Sequence, residues 1–250
     1  FHPYYRRLNV IGGSSWRYAG QSITWEIEVP EEGLYALSFR ARNVTRGVTS
    51  YRRLYIGGQT PFQEAQSIGF AFSGDYKQYD LSENGTYIYL KEGPNRITLE
   101  NVLGEYAACY GVVEGCMNVL NELYRAITQI TGTTPYKYID YDIAEKIPGA
   151  AENFGELSGQ LYQVVELVRL SGEKNDQTAL LETLALQLSK FVEDPERVVV
   201  ELDSFKSNIT ALGNWLITIS EGSLYVDSLT LYAPGTAYDP PTSSFFVKLW

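Results

Sequence analysis

Between residues 22 and 103, apolar side chains recur at every second position. Ile23, Trp25, Ile27 and Val29 alternate with Thr24, Glu26 and Glu28, the pattern of a strand with one face buried. Pro30-Glu31-Glu32-Gly33 predicts a turn, and Tyr35, Leu37, Phe39 and Ala41 then resume the alternation. Further strands are expected over residues 51–56, stopped by Gly57-Gly58, and over 76–81, 86–91 and 96–102. Asn84-Gly85 reads as a hairpin turn and Gly93-Pro94 as a break. Short strands with turns at such regular intervals predict an antiparallel sandwich.

The period then lengthens from two to about three and a half. Cys109, Val113, Cys116, Leu120, Leu123, Ile127 and Ile130 form a first stripe, ended by Gly132. Ile147, Phe154, Leu157, Leu161, Val164 and Val168 form a second, and Leu181, Leu184, Leu188 and Phe191 a third. Asp194-Pro195 reads as an N-cap followed by proline at the first helical position. It opens a fourth stripe of Val198, Leu202, Phe205, Ile209, Leu212, Leu216 and Ile219. About four antiparallel helices packed as a bundle are expected. Strand alternation returns over residues 223–233. One strand is not stable alone, so it must complete the sheet begun before residue 103. The expected fold is therefore α+β: a jelly-roll sandwich from 1–103 and 223–235, with a helical bundle at 104–222 inserted before its last strand. Residues 236–250, with Pro240-Pro241 and an apolar end, read as a linker and the start of a following domain. On that reading the chain is part of a longer protein.

Charge sharpens the division. The chain carries a net charge of −10. Residues 1–103 hold 11 basic and 10 acidic side chains, whereas 104–222 hold 8 and 18. An acidic segment of that kind repels a phosphate backbone, which argues against nucleic acid as a partner. No apolar run approaches the roughly 20 residues of a membrane span. Cys109 and Cys116 are seven positions apart, about 10 Å along a helix and too far for a disulfide, so buried free thiols are expected. His2, the one histidine, lies at the chain's start, so no Ser-His or Cys-His pair is in prospect. Gly12-Gly13-Ser14-Ser15 lacks the lysine and spacing of a phosphate loop. No enzyme motif is found, and a binding role is expected instead.

Aromatic residues beside polar ones carry that expectation. The chain has 20 tyrosines. Trp16, Arg17 and Tyr18 lie between two glycine-containing turns, and Phe70, Phe72, Tyr76 and Tyr79 surround Gly74-Asp75. Sugars present apolar C–H faces and hydroxyl edges, which aromatic platforms flanked by Arg, Asp or Asn can recognise. The same rings could equally plug the ends of the sandwich. Arg40, Arg42, Arg46, Arg52 and Arg53 could meet an acidic ligand or the acidic helices, and the second reading is the more economical. The candidate ligand set is Trp16, Tyr18, Arg52, Phe70, Tyr76 and Tyr79.

The stretch from Gly20 to Tyr35, with Trp25, Ile27, Val29, Pro30, Gly33 and Tyr35, resembles the strand–turn–strand of carbohydrate-binding modules of families six and thirty-five. Gly93-Pro94-Asn95-Arg96-Ile97-Thr98-Leu99 and Val226-Asp227-Ser228-Leu229 are similar to two of their later strands. The resemblance implies a non-catalytic, calcium-stabilised jelly roll that binds sugar. Asp227 matches a position that contributes to the structural calcium, although the glutamate partners have no counterpart here. The whole chain also resembles the accessory region of extracellular solute-binding lipoproteins of Gram-positive carbohydrate importers, through Asn121 to Arg125 and Ser207 to Leu216. That implies a cell-surface location, a glycan ligand, and the adjacent solute-binding domain or importer as a partner. An alternative role of another class is a structural or docking module whose helical bundle mediates protein contact.

Overall fold

The computed structural model describes residues 10–170 and 177–236. Its strands are β1 (Ile11–Gly12), β2 (Ser22–Val29), β3 (Gly33–Arg42), β4 (Ser50–Ile56), β5 (Ile68–Phe70), β6 (Lys77–Asp80), β7 (Ile88–Leu90), β8 (Gly93–Val102) and β9 (Tyr225–Tyr232). Between β8 and β9 run α1 (Tyr106–Thr131), α2 (Ile143–Lys146), α3 (Ala150–Leu170), α4 (Gln177–Glu193), α5 (Arg197–Val200) and α6 (Leu202–Ser220). Strands and helices form two separate units; the chain leaves the first at Gly104 and returns to it at Gly222. The linker expected at 236–250 lies, from residue 237 on, outside the described residues.

Two antiparallel sheets make a sandwich. One has the order β1-β9-β3-β6, with β7 also on β3, and the other has the order β2-β8-β4-β5. The alternation read from the sequence sets their inner faces. Trp25 and Ile27 from β2, Leu37 and Phe39 from β3, Leu54 from β4, Phe70 from β5, Ile97 and Leu99 from β8 and Val226 from β9 share one core. Phe39 lies at its centre, its ring centroid 6.3 Å from both Trp25 and Phe70. Shortening such a fully buried ring to alanine costs about 3–5 kcal/mol. β9 sits between β1 and β3, so the sheet is not continuous until the chain has returned from the helices.

The hairpin expected at Asn84-Gly85 does not form. β6 pairs with Ser38 to Ala41 of β3 and β7 with Gly33 to Tyr35, so both lie in succession along one side of the same strand. The Asp80 carboxylate accepts hydrogen bonds from Ser82 N and Oγ at 2.8 and 2.7 Å, starting a 3-10 turn over Leu81–Asn84. Gly85 closes that turn at φ +76°. The positive φ that an Asn-Gly pair favours is used here, but to step the chain along an edge rather than to reverse it.

In the helical unit, α1, α3, α4 and α6 bury the stripes read from the sequence. Phe154, Phe191 and Phe205 meet edge to face with centroids 5.4 to 6.2 Å apart, joining three helices at one point. The fourth stripe is divided. Asp194-Pro195 forms a turn, α5 begins at Arg197, and Glu201 breaks the path before α6. Cys109 and Cys116 are free and buried. Burial raises both thiols, that of Cys116 to about 11, so neither is a ready nucleophile. No helix among the described residues is long and apolar enough to cross a membrane.

Candidate functional site

The structure separates the residues singled out as ligand contacts. Phe70 is fully buried, with Tyr79 packed edge-on against it at 4.8 Å. Tyr79 is half-buried and donates its hydroxyl to Ala71 O at 3.2 Å. Trp16 is buried too, its Nε1 donating to Gln21 O at 2.9 Å. Tyr18 remains exposed beside Arg17, and Tyr76 keeps an open edge.

Arg52 is the largest correction. It shares parity with Leu54 and Ile56, so it points into the sandwich, whereas Arg53 and Tyr55 face out toward Glu100. Its guanidinium lies 4.1 Å from the centre of the Trp16 ring. Nη1 donates to Ser50 Oγ, Tyr51 O and Asn101 Oδ1 at 2.7 to 2.9 Å, and Nη2 to Gly222 O at 2.5 Å and Trp16 O at 3.3 Å. Burial pushes the guanidinium down to about 9, which leaves it charged at neutral pH. Gly222 is held further by Ser50 Oγ and by its own N–H donating to Arg17 O at 2.8 Å. A Cβ at Gly222 would lie 2.8 Å from Asn101 Oδ1 and 3.2 Å from Arg52 Nη1, so a side chain there would displace members of this network. Arg52 is thus a latch that fixes the point where the chain re-enters the sandwich. With Arg40 on Asp227 and Arg53 on Glu100, these three arginines find partners within the sandwich.

A different group of residues forms an outward polar and aromatic face. Alternation along β3 sends Phe39 and Ala41 inward and Arg40 and Arg42 outward. On β9 the register slips between Arg40 and Ala41, leaving Asp227 as the extra residue of a bulge. Bulges of this kind re-aim a side chain, and here the Asp227 carboxylate pairs with Arg40. Held there, Arg40 lies over the Tyr76 ring at 5.1 Å. Tyr76, just before β6, has its phenol raised by burial and by the Asp227 charge, while Arg42 and Arg40 oppose that rise. Tyr225, paired in register with Arg42, lies at the same end with its ring close against Gly13. A Cβ at Gly13 would come within 2.4 Å of that ring, and φ there is +69°. Arg42 Nε is buried without an acceptor among the described residues. Arg40 and Arg42 were visible in the sequence as members of an arginine cluster, but Tyr225 was hidden because its value depends on a glycine two hundred positions away.

Asp227 does not suit a structural calcium, because its carboxylate is engaged by a guanidinium. Among the described residues no group of three or more His, Cys, Asp or Glu side chains that could hold a metal ion is found.

Residues 109–219 match the family model described as bacterial solute-binding protein, 4-helix bundle domain. No curated protein matches the chain. Among solved structures, the family 35 carbohydrate binding module from Clostridium thermocellum is 20% identical, over 38% of this chain and 77% of that one, at a TM-score of 0.30. A family 35 module from an environmental isolate is 15% identical, over 34% and 58%, at 0.28. The Podospora anserina GH26-CBM35 β-(1,4)-mannanase is 14% identical, over 82% and 61%, at 0.27. The chain thus spans less than two thirds of the second and third of these.

Proposed function

We propose that this chain is a non-catalytic carbohydrate-binding accessory region of an extracellular bacterial solute-binding protein, with its glycan contacts on the outward face around Tyr76. The observation that carries this reading is the Tyr76–Arg40–Asp227 arrangement. A tyrosine ring and a guanidinium already stacked and tethered lose little freedom when a ligand arrives, so contact energy is not consumed in ordering them. Tyr76 and Tyr225 offer ring faces to sugar C–H groups. Arg40 and Arg42 offer donors to hydroxyl or ring oxygens, and Asp227 accepts. The solute-binding family description of the helical unit supports a bacterial uptake context, and hence an extracellular location.

Calorimetric titration of the 250-residue chain with neutral linear oligosaccharides, preceded by a glycan-array screen, tests this. The expected outcome is binding that Tyr76→Ala weakens tenfold or more, about 1.4 kcal/mol per decade. Binding that is absent across the array, or indifferent to Tyr76→Ala, would sink the assignment of the face. The alternative, a docking module, is favoured by a separate observation. Several large apolar side chains of the helical unit stand exposed, Leu167, Leu186 and Ile217 each by more than half.

A further inference from the structure

The helical unit carries an ordered aromatic loop whose exposure its own stability does not require. Between α1 and α2, Tyr138 is 90% exposed, Tyr136 65% and Ile139 53%. An aromatic side chain left in water contributes almost nothing to burial, yet the segment bearing it is firmly built. The Glu196 carboxylate accepts hydrogen bonds from the backbone N–H groups of Tyr141, at 3.1 Å, and Ile143. Tyr136 N donates to the Tyr141 hydroxyl at 3.0 Å, Ile139 N to Tyr136 O at 3.2 Å, and Lys146 Nζ to Tyr141 O at 2.8 Å. Tyr136 and Tyr138 meet edge to face at 5.8 Å, and Ile143 is buried beneath the loop's end. Asp142 adopts φ +57°, a conformation that costs a residue other than glycine about 1 kcal/mol or more and that the surrounding contacts impose.

The loop walls a groove of about 590 Å³ together with the turn before α5 and α5 itself. That volume falls in the range of small-molecule sites. Its apolar part is Tyr138, Ile139 and the half-exposed Val200. Its lining carries both signs: Lys137, which has no ion-pair partner among the described residues, and the carboxylates Asp140 and Asp194. Arg197 and Glu201 are already paired with each other at 2.6 Å. A free cation would meet the Lys137 ammonium and a free anion the two carboxylates. An uncharged polyol satisfies both, donating hydroxyls to carboxylate and accepting from ammonium, while its C–H face covers a ring.

We propose that this groove is a second binding site, in which Tyr138 stacks on a sugar ring of a neutral oligosaccharide while Lys137, Asp140 and Asp194 hydrogen-bond its hydroxyls. The site stands on residues of the helical unit alone and does not depend on the face around Tyr76. The full chain, titrated with linear gluco-, manno- and xylohexaose, tests it in two readouts: calorimetry, and hydroxyl-radical footprinting resolved to residues 134–142. The expected result is protection of that segment by at least one hexaose, with affinity at this site falling tenfold or more in Tyr138→Ala and in Val200→Glu. Both changes are at exposed positions and should leave the melting temperature unaltered. Tyr76→Ala should leave the protection unchanged, and loss of the Tyr76 effect alone would tell against the sandwich face and not this groove. Absence of protection by all three sugars overturns the proposal, as does protection by a protein partner in their place, or binding that survives Tyr138→Ala.

Discussion

At the scale of single residues, the two most informative side chains are Arg52 and Asp80. Arg52 replaces what would be an aliphatic position of β4 and spends its donors on oxygens of residues 16, 50, 51, 101 and 222. Its partners are neutral oxygens, and removing the guanidinium leaves several of them buried and unsatisfied, at about 1–3 kcal/mol for each such group. Arg52→Ala should therefore lower the denaturant midpoint by that equivalent. Arg52→Lys should recover only part, since an ammonium cannot reach Gly222 and Trp16 oxygens with one fork. An alanine variant within about 1 kcal/mol of the parent would show that the latch is ornamental. Asp80 makes a pH-dependent contribution. Burial pushes its carboxyl up, but hydrogen bonds from the Tyr232 hydroxyl and from Ser82 outweigh burial and hold it below its ordinary value. A carboxylate with a lowered folded value stabilises the fold above its unfolded value and loses that contribution as pH falls through the folded one. The Tyr232 phenol is raised, by burial first and then by Asp80, so its contribution fades as pH rises through the phenol range. Tyr232→Phe should thus lower stability most on the neutral plateau and converge with the parent at both ends, in acid where Asp80 is protonated and in alkali where the parent's Tyr232 ionises, in stability–pH curves followed by circular dichroism. Superimposable curves would refute this.

At the scale of elements, period is more legible in the sequence than context. The strands around Trp25, Phe39 and Leu54 and the four helical stripes emerged from the sequence because burial of one face is a local, repeating demand. The same rule, applied strictly to β4, would have placed Arg52 inside, since it shares parity with Leu54 and Ile56. A guanidinium with enough oxygens around it can be buried, so parity and not charge decides which way Arg52 faces. Phe70 was lost for a different reason: β5 has three residues, too few for alternation to show. Asn84-Gly85 announced a positive φ but not its use, because the pairing partner of β6 is fixed by β3, some forty positions earlier. The groove beside Tyr138 was out of reach, since it needs Val200 and Asp194 brought to a loop more than fifty residues away.

At the scale of the whole molecule, the placement of β9 governs how the chain can fold. β9 lies between β1 and β3, and its pairing with β3 joins residues as far apart as Arg40 and Asp227. The helices between contribute local contacts that form early, whereas the sandwich must wait for a long loop to close. Yet the ends of that loop are near neighbours: Gly222 N–H bonds to Arg17 O, and Asn101, three residues before Gly104, touches the same Arg17 oxygen at 2.6 Å. The excursion is therefore removable. A chain with residues 105–221 replaced by a Gly/Ser linker of about five residues, within the usual span of a tight connection, should fold to a β-sheet protein with one cooperative melt. A chain stopped at residue 221 should not, because β1 and β3 would lose the strand between them. Retention of Tyr76-dependent sugar binding by the linked sandwich, together with loss of the Tyr138-dependent component, would locate the two sites on the two units. A linked sandwich that fails to fold would mean that the helices supply part of the sandwich's stability, and the division at Gly104 and Gly222 would then be one of topology and not of energetics.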